Sequence, residues 1–189
     1  MTKVLTLASQ SPRRKQLLEM LGLPIRVEPT SVYEKPLPKE APLAYSKRLA
    51  REKAQAGIGE YVLGADTIVV LDDHLLEKPV DDADAVRMLT LLQGRTHEVI
   101  TSIALLAHGT LHEATDVTRV TFRAADDAFL AAYVATGESR DKAGAYGIQG
   151  YGAALVERVE GDFFGVMGLP VRLVLKLLAE AGWEYEFQR

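Results

Sequence analysis

Residues 61–71 read YVLGADTIVVL, with Asp72-Asp73 directly after them. Outside Gly64, Asp66 and Thr67 the stretch is apolar, and Ile68, Val69 and Val70 are β-branched. Such a run, stopped by a turn signal, reads as a strand inside a sheet. Outward from it, helix and strand signals alternate. Upstream, Val4–Ala8 reads as a short strand. It is followed by a helix with Ser11 at its N-cap, Pro12 in its first turn, a stripe of Leu17, Leu18 and Leu21, and Gly22 as its stop. Ile25–Val27 reads as a second strand. EPTSVYEKPLPKEAP (28–42) holds four of the eight prolines and reads as extended loop. Leu43–Ala56 reads as a helix ending at Gly57.

Downstream, a helix is expected over Ala83–Leu92, ended by Gly94. HEVITSIALLA (97–107) and LHEATDVTRVTFR (111–123) read as a hairpin joined through His108-Gly109. Then come a helix over Asp126–Ala135, the glycine-punctuated loop DKAGAYGIQGYG (141–152), a strand in GAALVERVEG (152–161), a helix over Leu169–Ala181, and EYEF (184–187) as a last short strand. The expectation is an α/β fold with a mixed sheet.

Composition narrows the function. The chain has 189 residues, 48% hydrophobic and 25% charged, near the averages for a globular protein, with a net charge of -4. That balance gives no basic surface for nucleic acid. No apolar stretch is long enough to span a membrane, and the start does not match a secretory signal. With no cysteine, disulfides and cysteine–zinc sites are excluded, in keeping with a reducing, cytoplasmic setting.

Several polar residues sit where chemistry would need them. Asp66 lies inside the apolar strand, where an ionised carboxylate is costly unless paired or metal-bound. The alternative is a strand-end Asp making structural hydrogen bonds. Thr67 faces the other side of a regular strand, though its backbone can still line a site. Lys53 falls three and four residues after Ala50 and Leu49, beside the apolar stripe of its helix, where it either snorkels outward or points into a cleft. Lys78 in LLEKP and Glu34 in SVYEKP read, each alone, as solvated charges. Gln149, in GIQGYG, offers a donor and an acceptor to a base edge, and its flanking glycines allow close main-chain approach. His108 and His112 are four apart but on strand-like sequence, which argues against a metal pair. His97 reads as local support.

SPRR (11–14) poses a conflict: Arg13 and Arg14 occupy the positive end of a helix, where cations are unfavourable by a few tenths of a kcal/mol or more. Taken alone, the stretch reads more readily as two exposed arginines tolerated at that small cost. The alternative is a bound polyanion that offsets it, received by free amides at the helix start, two guanidinium forks and the hydroxyls of Ser9 and Ser11.

ASQSPRRKQLL, LAREKA, GADTIVV, EKPV, GRTHEVIT, DKAGAYGIQG and VEGDFFGVMGLPV, in this order, resemble the Maf family of nucleoside triphosphate pyrophosphatases across nearly the whole chain, 1–189, as a single Maf-like domain. The resemblance implies a two-lobed α/β fold with a mixed central sheet, flanking helices and a substrate cleft, related to the inosine triphosphate pyrophosphatases. It implies hydrolysis between the α- and β-phosphates with a divalent cation such as Mg²⁺ or Mn²⁺, and a homodimer. It assigns substrate binding to Ser9, Arg13, Arg14, Thr67 and Gln149, catalysis to Asp66, Lys53 and Lys78, and metal binding to Glu34 and Asp66, with Asp66 as proton acceptor. The family often carries adjacent acids near Glu34; here residue 33 is Tyr. DKAGAYGIQG resembles the branch that prefers dTTP and UTP. The competing readings are a 7-methyl-GTP pyrophosphatase, a phosphatase removing only the terminal phosphate, and a nucleotide-binding regulator of cell division.

Overall fold

A computed structural model of the chain describes residues 3–187. Within them the strands are β1 (Leu5–Leu7), β2 (Ile25–Val27), β3 (Tyr61–Leu71), β4 (His74–Leu76), β5 (Thr96–Ala107), β6 (Thr110–Phe122) and β7 (Val156–Glu160). The helices are α1 (Pro12–Met20), α2 (Pro42–Ala56), α3 (Asp82–Leu92), α4 (Asp127–Ala135), α5 (Phe163–Met167) and α6 (Val171–Glu180). The sheet is mixed and runs β2-β1-β3-β5-β6-β7, with β4 added to β3. β1 pairs in parallel with β2 and β3, while β4 runs antiparallel to β3 and β7 antiparallel to β6.

The contacts divide the described chain into two compact units. The first comprises 3–66, 101–116 and 168–187, and its core includes Leu5, Leu7, Leu18, Leu49, Leu63, Ile103 and Leu105, all buried. The second comprises 67–100 and 117–167 and is built on Leu71, Met88, Leu89, Leu92, Phe122, Leu130 and Ile148.

Local chemistry explains the boundaries. Asp81 caps α3 by accepting the Asp84 N–H at 2.8 Å, and Asp126 caps α4 by accepting the Phe129 N–H at 2.8 Å. Both hairpin turns place two residues at positive φ: Asp72 (47°) and Asp73 (65°) before β4, His108 (49°) and Gly109 (77°) between β5 and β6. His108 tolerates this because its ring is held by the Tyr61 hydroxyl at 2.9 Å and stacks edge-on against Tyr61.

The structure departs from the sequence expectations at the small elements. β4 and α5 were not foreseen. The segment 141–152 contains the 3-10 turn Ala143–Ala145, and a second, Tyr151–Leu155, delays β7. EYEF is not a strand: the Tyr185 hydroxyl donates to the Leu21 carbonyl at 2.8 Å, so a side chain holds the tail rather than a ladder. α6 starts at Val171, because Pro170 at the N-cap disfavours helical backbone at Leu169.

Candidate active site

The site begins with a close approach. Gly64 and Asp66 lie two apart on β3 and so share a face. A Cβ at Gly64 would stand 2.2 Å from the Ala50 carbonyl oxygen and 2.5 Å from the Ala54 nitrogen. Only glycine there lets α2 lie directly on the strand, and Ala50 and Ala54 keep the helix face small. Lys53, next to that seam, is carried over Asp66. Its Nζ donates to Asp66 Oδ1 at 2.9 Å and meets Glu34 Oε1 at 2.8 Å. Lys53 and Asp66 are each only 7% exposed, so Lys53 does not snorkel. Asp66 Oδ2 is also buried and has no hydrogen-bond partner.

Glu34 comes from the proline-rich loop, with its side chain 47% exposed. α2 ties that loop down. Arg48 pairs with Glu40 at 2.7 Å and donates to the Lys35 carbonyl at 3.0 Å, while Glu40 accepts the Leu37 N–H at 2.9 Å. The Arg48 hydrogen bond holds the Glu40 carboxyl down at about 2.

The start of α1 faces the same carboxylates. The Ala8 N–H donates to the Leu63 carbonyl at 2.9 Å, so α1 leaves from the carboxyl end of β1, beside Gly64–Asp66. Ser11 occupies the N-cap without a side-chain cap bond. The buried Ser9 Oγ accepts the Ser11 N–H at 3.2 Å and Arg14 Nη1 at 3.0 Å. Arg14 Nε donates to the Gly168 carbonyl at 2.8 Å. Burial pulls the Arg14 guanidinium below its ordinary value and Arg13 adds to this, while the Asp66 and Glu34 charges oppose it. Arg14 therefore faces resident carboxylates as well as any incoming anion. Arg14 is a buried, tethered group; Arg13 is half-buried.

The remaining candidates belong to the second unit. Thr67 is half-buried, Lys78 is exposed just after β4, and Gln149 is exposed within Gly147–Gly152. The glycines around Gln149 do not leave open space for a ligand. They wrap the main chain onto Glu138, whose carboxylate accepts the Tyr151 and Gly152 N–H groups. Glu138 was not foreseen, although three glycines at 147, 150 and 152 were a signal that something bulky lay against them. His97 is buried, with Nε2 2.9 Å from the Tyr146 hydroxyl and edge-on contacts to Phe122 and Tyr146. Its role is local support.

A family model described as Maf-like protein matches residues 4–181. The chain belongs to this family. Curated relatives of this Maf-like chain carry the name dTTP/UTP pyrophosphatase. One from Koribacter versatilis is 48% identical over 182 residues, covering 94% of each chain. One from Alcanivorax borkumensis is 47% identical over 188 residues, covering 96% of this chain and 97% of the relative. One from Escherichia coli is 47% identical over 180 residues, covering 93% and 91%. Among the described residues, no helix is long and apolar enough to cross a membrane.

Among the described residues of the Maf-like chain, no group of three or more acids and histidines forms a ready metal cage. What is present is smaller: the unpartnered Asp66 Oδ2 and the half-exposed Glu34 carboxylate. These are hard oxygen donors, and Mg²⁺ commonly takes only one or two carboxylates and completes its shell with substrate phosphates and water. The residues fit a cation that arrives with a nucleotide. Tyr33, 68% exposed, adds no second acid beside Glu34.

Proposed function

We propose that this chain, acting as a single Maf-like domain, hydrolyses nucleoside triphosphates to the monophosphate and pyrophosphate, with dTTP and UTP preferred. The observation that carries the reading is Asp66: a buried carboxylate with one oxygen fixed by Lys53 and the other with no partner. A lone pair left unpaired in the interior costs about 1–3 kcal/mol, which makes it a strong candidate for chemistry. The names of the relatives support the reaction and the base preference.

In this reading the triphosphate lies at the start of α1, where free amides and the Arg13 and Arg14 charges receive it. Asp66 Oδ2 takes the proton of a water whose oxygen attacks the α-phosphorus. The bond from that phosphorus to the bridging oxygen breaks, and pyrophosphate leaves. Lys53, fixed on Oδ1, supplies countercharge to both acids and, with Lys78, stabilises the leaving group. A divalent cation would be held by Glu34, and by Asp66 where that carboxylate serves as ligand instead of proton acceptor, and would supply neutralisation of phosphate charge. Thr67 and Gln149 select the nucleotide, Gln149 through an amide that matches the carbonyl–imide edge of thymine and uracil. The protein is a cytoplasmic homodimer in this reading.

The test is a panel of dTTP, UTP, CTP, GTP and 7-methyl-GTP with Mg²⁺ or Mn²⁺, and with a chelator, scored for products. Pyrophosphate from dTTP and UTP, abolished by the chelator, is the expected outcome. Orthophosphate alone would overturn the bond assignment, and best turnover of 7-methyl-GTP would overturn the base preference.

A further inference from the structure

We propose that Glu138 is a positioning residue for base selection: its carboxylate fixes the Gly147–Gly152 segment and thereby sets where Gln149 presents its amide. This rests on the assignment of Gln149 to the base made above.

Glu138 follows the left-handed Gly137 (φ 78°) that ends α4, and its side chain reaches across to the segment. Oε2 accepts the Tyr151 N–H at 2.8 Å and Oε1 accepts the Gly152 N–H at 2.9 Å. The Tyr133 hydroxyl donates to Oε1 at 2.9 Å and accepts the Gly147 N–H at 3.2 Å. Amides on both sides of Gln149 thus end, directly or through Tyr133, on one carboxylate. Hydrogen bonds to an ionised acceptor are roughly twice as strong as neutral ones. Burial opposes the charge, but the two backbone N–H groups overcome it and hold the Glu138 carboxyl below its ordinary value.

The glycines have the same centre. A Cβ at Gly150 would lie 1.9 Å from Glu138 Oε2, and one at Gly147 would lie 3.2 Å from Oε1 and 2.7 Å from Lys142 Cε. A Cβ at Gly152 would lie 2.6 Å from the Gly147 carbonyl oxygen. The main chain is wound tightly on the acid, and Lys142 closes the far side by donating to the Glu138 carbonyl at 2.6 Å. Ile148 is buried, while Gln149, next along, is exposed. The segment around Gln149 has no ladder to hold it in place; the carboxylate fills that role. Rejection of a wrong base depends on polar groups that cannot shift to satisfy it. Loosening the anchor should therefore blunt selectivity before it blunts chemistry.

The experiment compares Glu138→Gln and Tyr133→Phe with the wild type. Gln keeps the shape but sets an NH₂ group against backbone N–H donors; Phe removes one hydroxyl and is the milder probe if the first variant folds poorly. Without nucleotide, hydrogen exchange at amides 147, 151 and 152 should quicken in Glu138→Gln. The kcat/KM ratio for dTTP over GTP should fall by at least about tenfold, mainly through a higher KM for dTTP, with kcat within about threefold. Tyr133→Phe should fall between. Unchanged exchange overturns the anchor. Faster exchange with an unchanged ratio in both variants overturns the link to selection. A wild type without preference for dTTP strikes the proposed function, and this inference with it; that is read before any variant is made.

Discussion

Asp66 and Glu138 are both carboxylates drawn partly or wholly out of water, and they are treated in opposite ways. At Glu138 the two oxygens collect two backbone N–H donors and a tyrosine hydroxyl. At Asp66 one oxygen takes a single ammonium and the other takes nothing. A satisfied acid is a fastener. An acid left half-satisfied keeps a lone pair available, and native proteins tolerate that cost mostly where it has a use. The same residue class thus holds a segment in place in one unit and, in the proposed function, accepts a proton in the other.

The sharpest way to break the contrast is Asp66→Asn. Turnover of dTTP should drop by about 10²-fold or more, with the circular dichroism spectrum and thermal midpoint close to wild type, because the substitution removes the proton acceptor but keeps the shape. An active variant would make Asp66 a fastener too. Next comes the seam that brings Lys53 to it. Gly64→Ala inserts a Cβ against helix backbone, and denaturant unfolding should show a loss of about 1–3 kcal/mol, accompanied by lower activity. Wild-type stability would mean that α2 can move aside.

Arg14→Ala should cost less, about 1–2 kcal/mol, since it takes the guanidinium donor from the Gly168 carbonyl and leaves the Ser9 hydroxyl with the Ser11 N–H alone. This reverses the expectation from sequence, in which both arginines only strained the empty helix end. Arg13→Ala should lower activity with a smaller stability change. Equal stability losses in the two variants would contradict the distinction.

The most gradual effect is the pH dependence from His97, buried without a charged partner and depressed to about 4 from 6.5. Between those values the unfolded chain binds the proton and the folded one does not. Stability is therefore full above pH 6.5 and declines as pH falls towards 4, by about 1.4 kcal/mol per pH unit at most from this group. His97→Gln should flatten that part of the profile in equilibrium unfolding.

The order of the large elements is legible in the sequence because each carries its own signal: the apolar run at 61–71, the glycine stops at Gly22, Gly57 and Gly94, the two-residue turn His108-Gly109. The missed pieces depend on partners distant in the chain. β4 is three residues long and exists because Asp72 and Asp73 fold it back onto β3. EYEF alternates like a strand, but its tyrosine is held by the end of α1. Within the site, Lys53 looks like a snorkelling lysine until Gly64 is seen to admit the helix. The glycines at 147 and 150 were legible as places of close approach, but what approaches is Glu138, and nothing local in the sequence says so.

The seam between α2 and β3 has a mechanical consequence. With main chain packed against main chain at Gly64, helix and strand cannot slide without breaking that fit, so Lys53 and Asp66 form a stiff pair. Glu34, half-exposed on a loop pinned by Arg48, is the compliant member of the trio. When a polyanion arrives, the displacement falls on the loop rather than on the pair. In the proposed reaction, the field felt at the reacting phosphorus is then set when the chain folds, and little of the barrier is spent on turning dipoles.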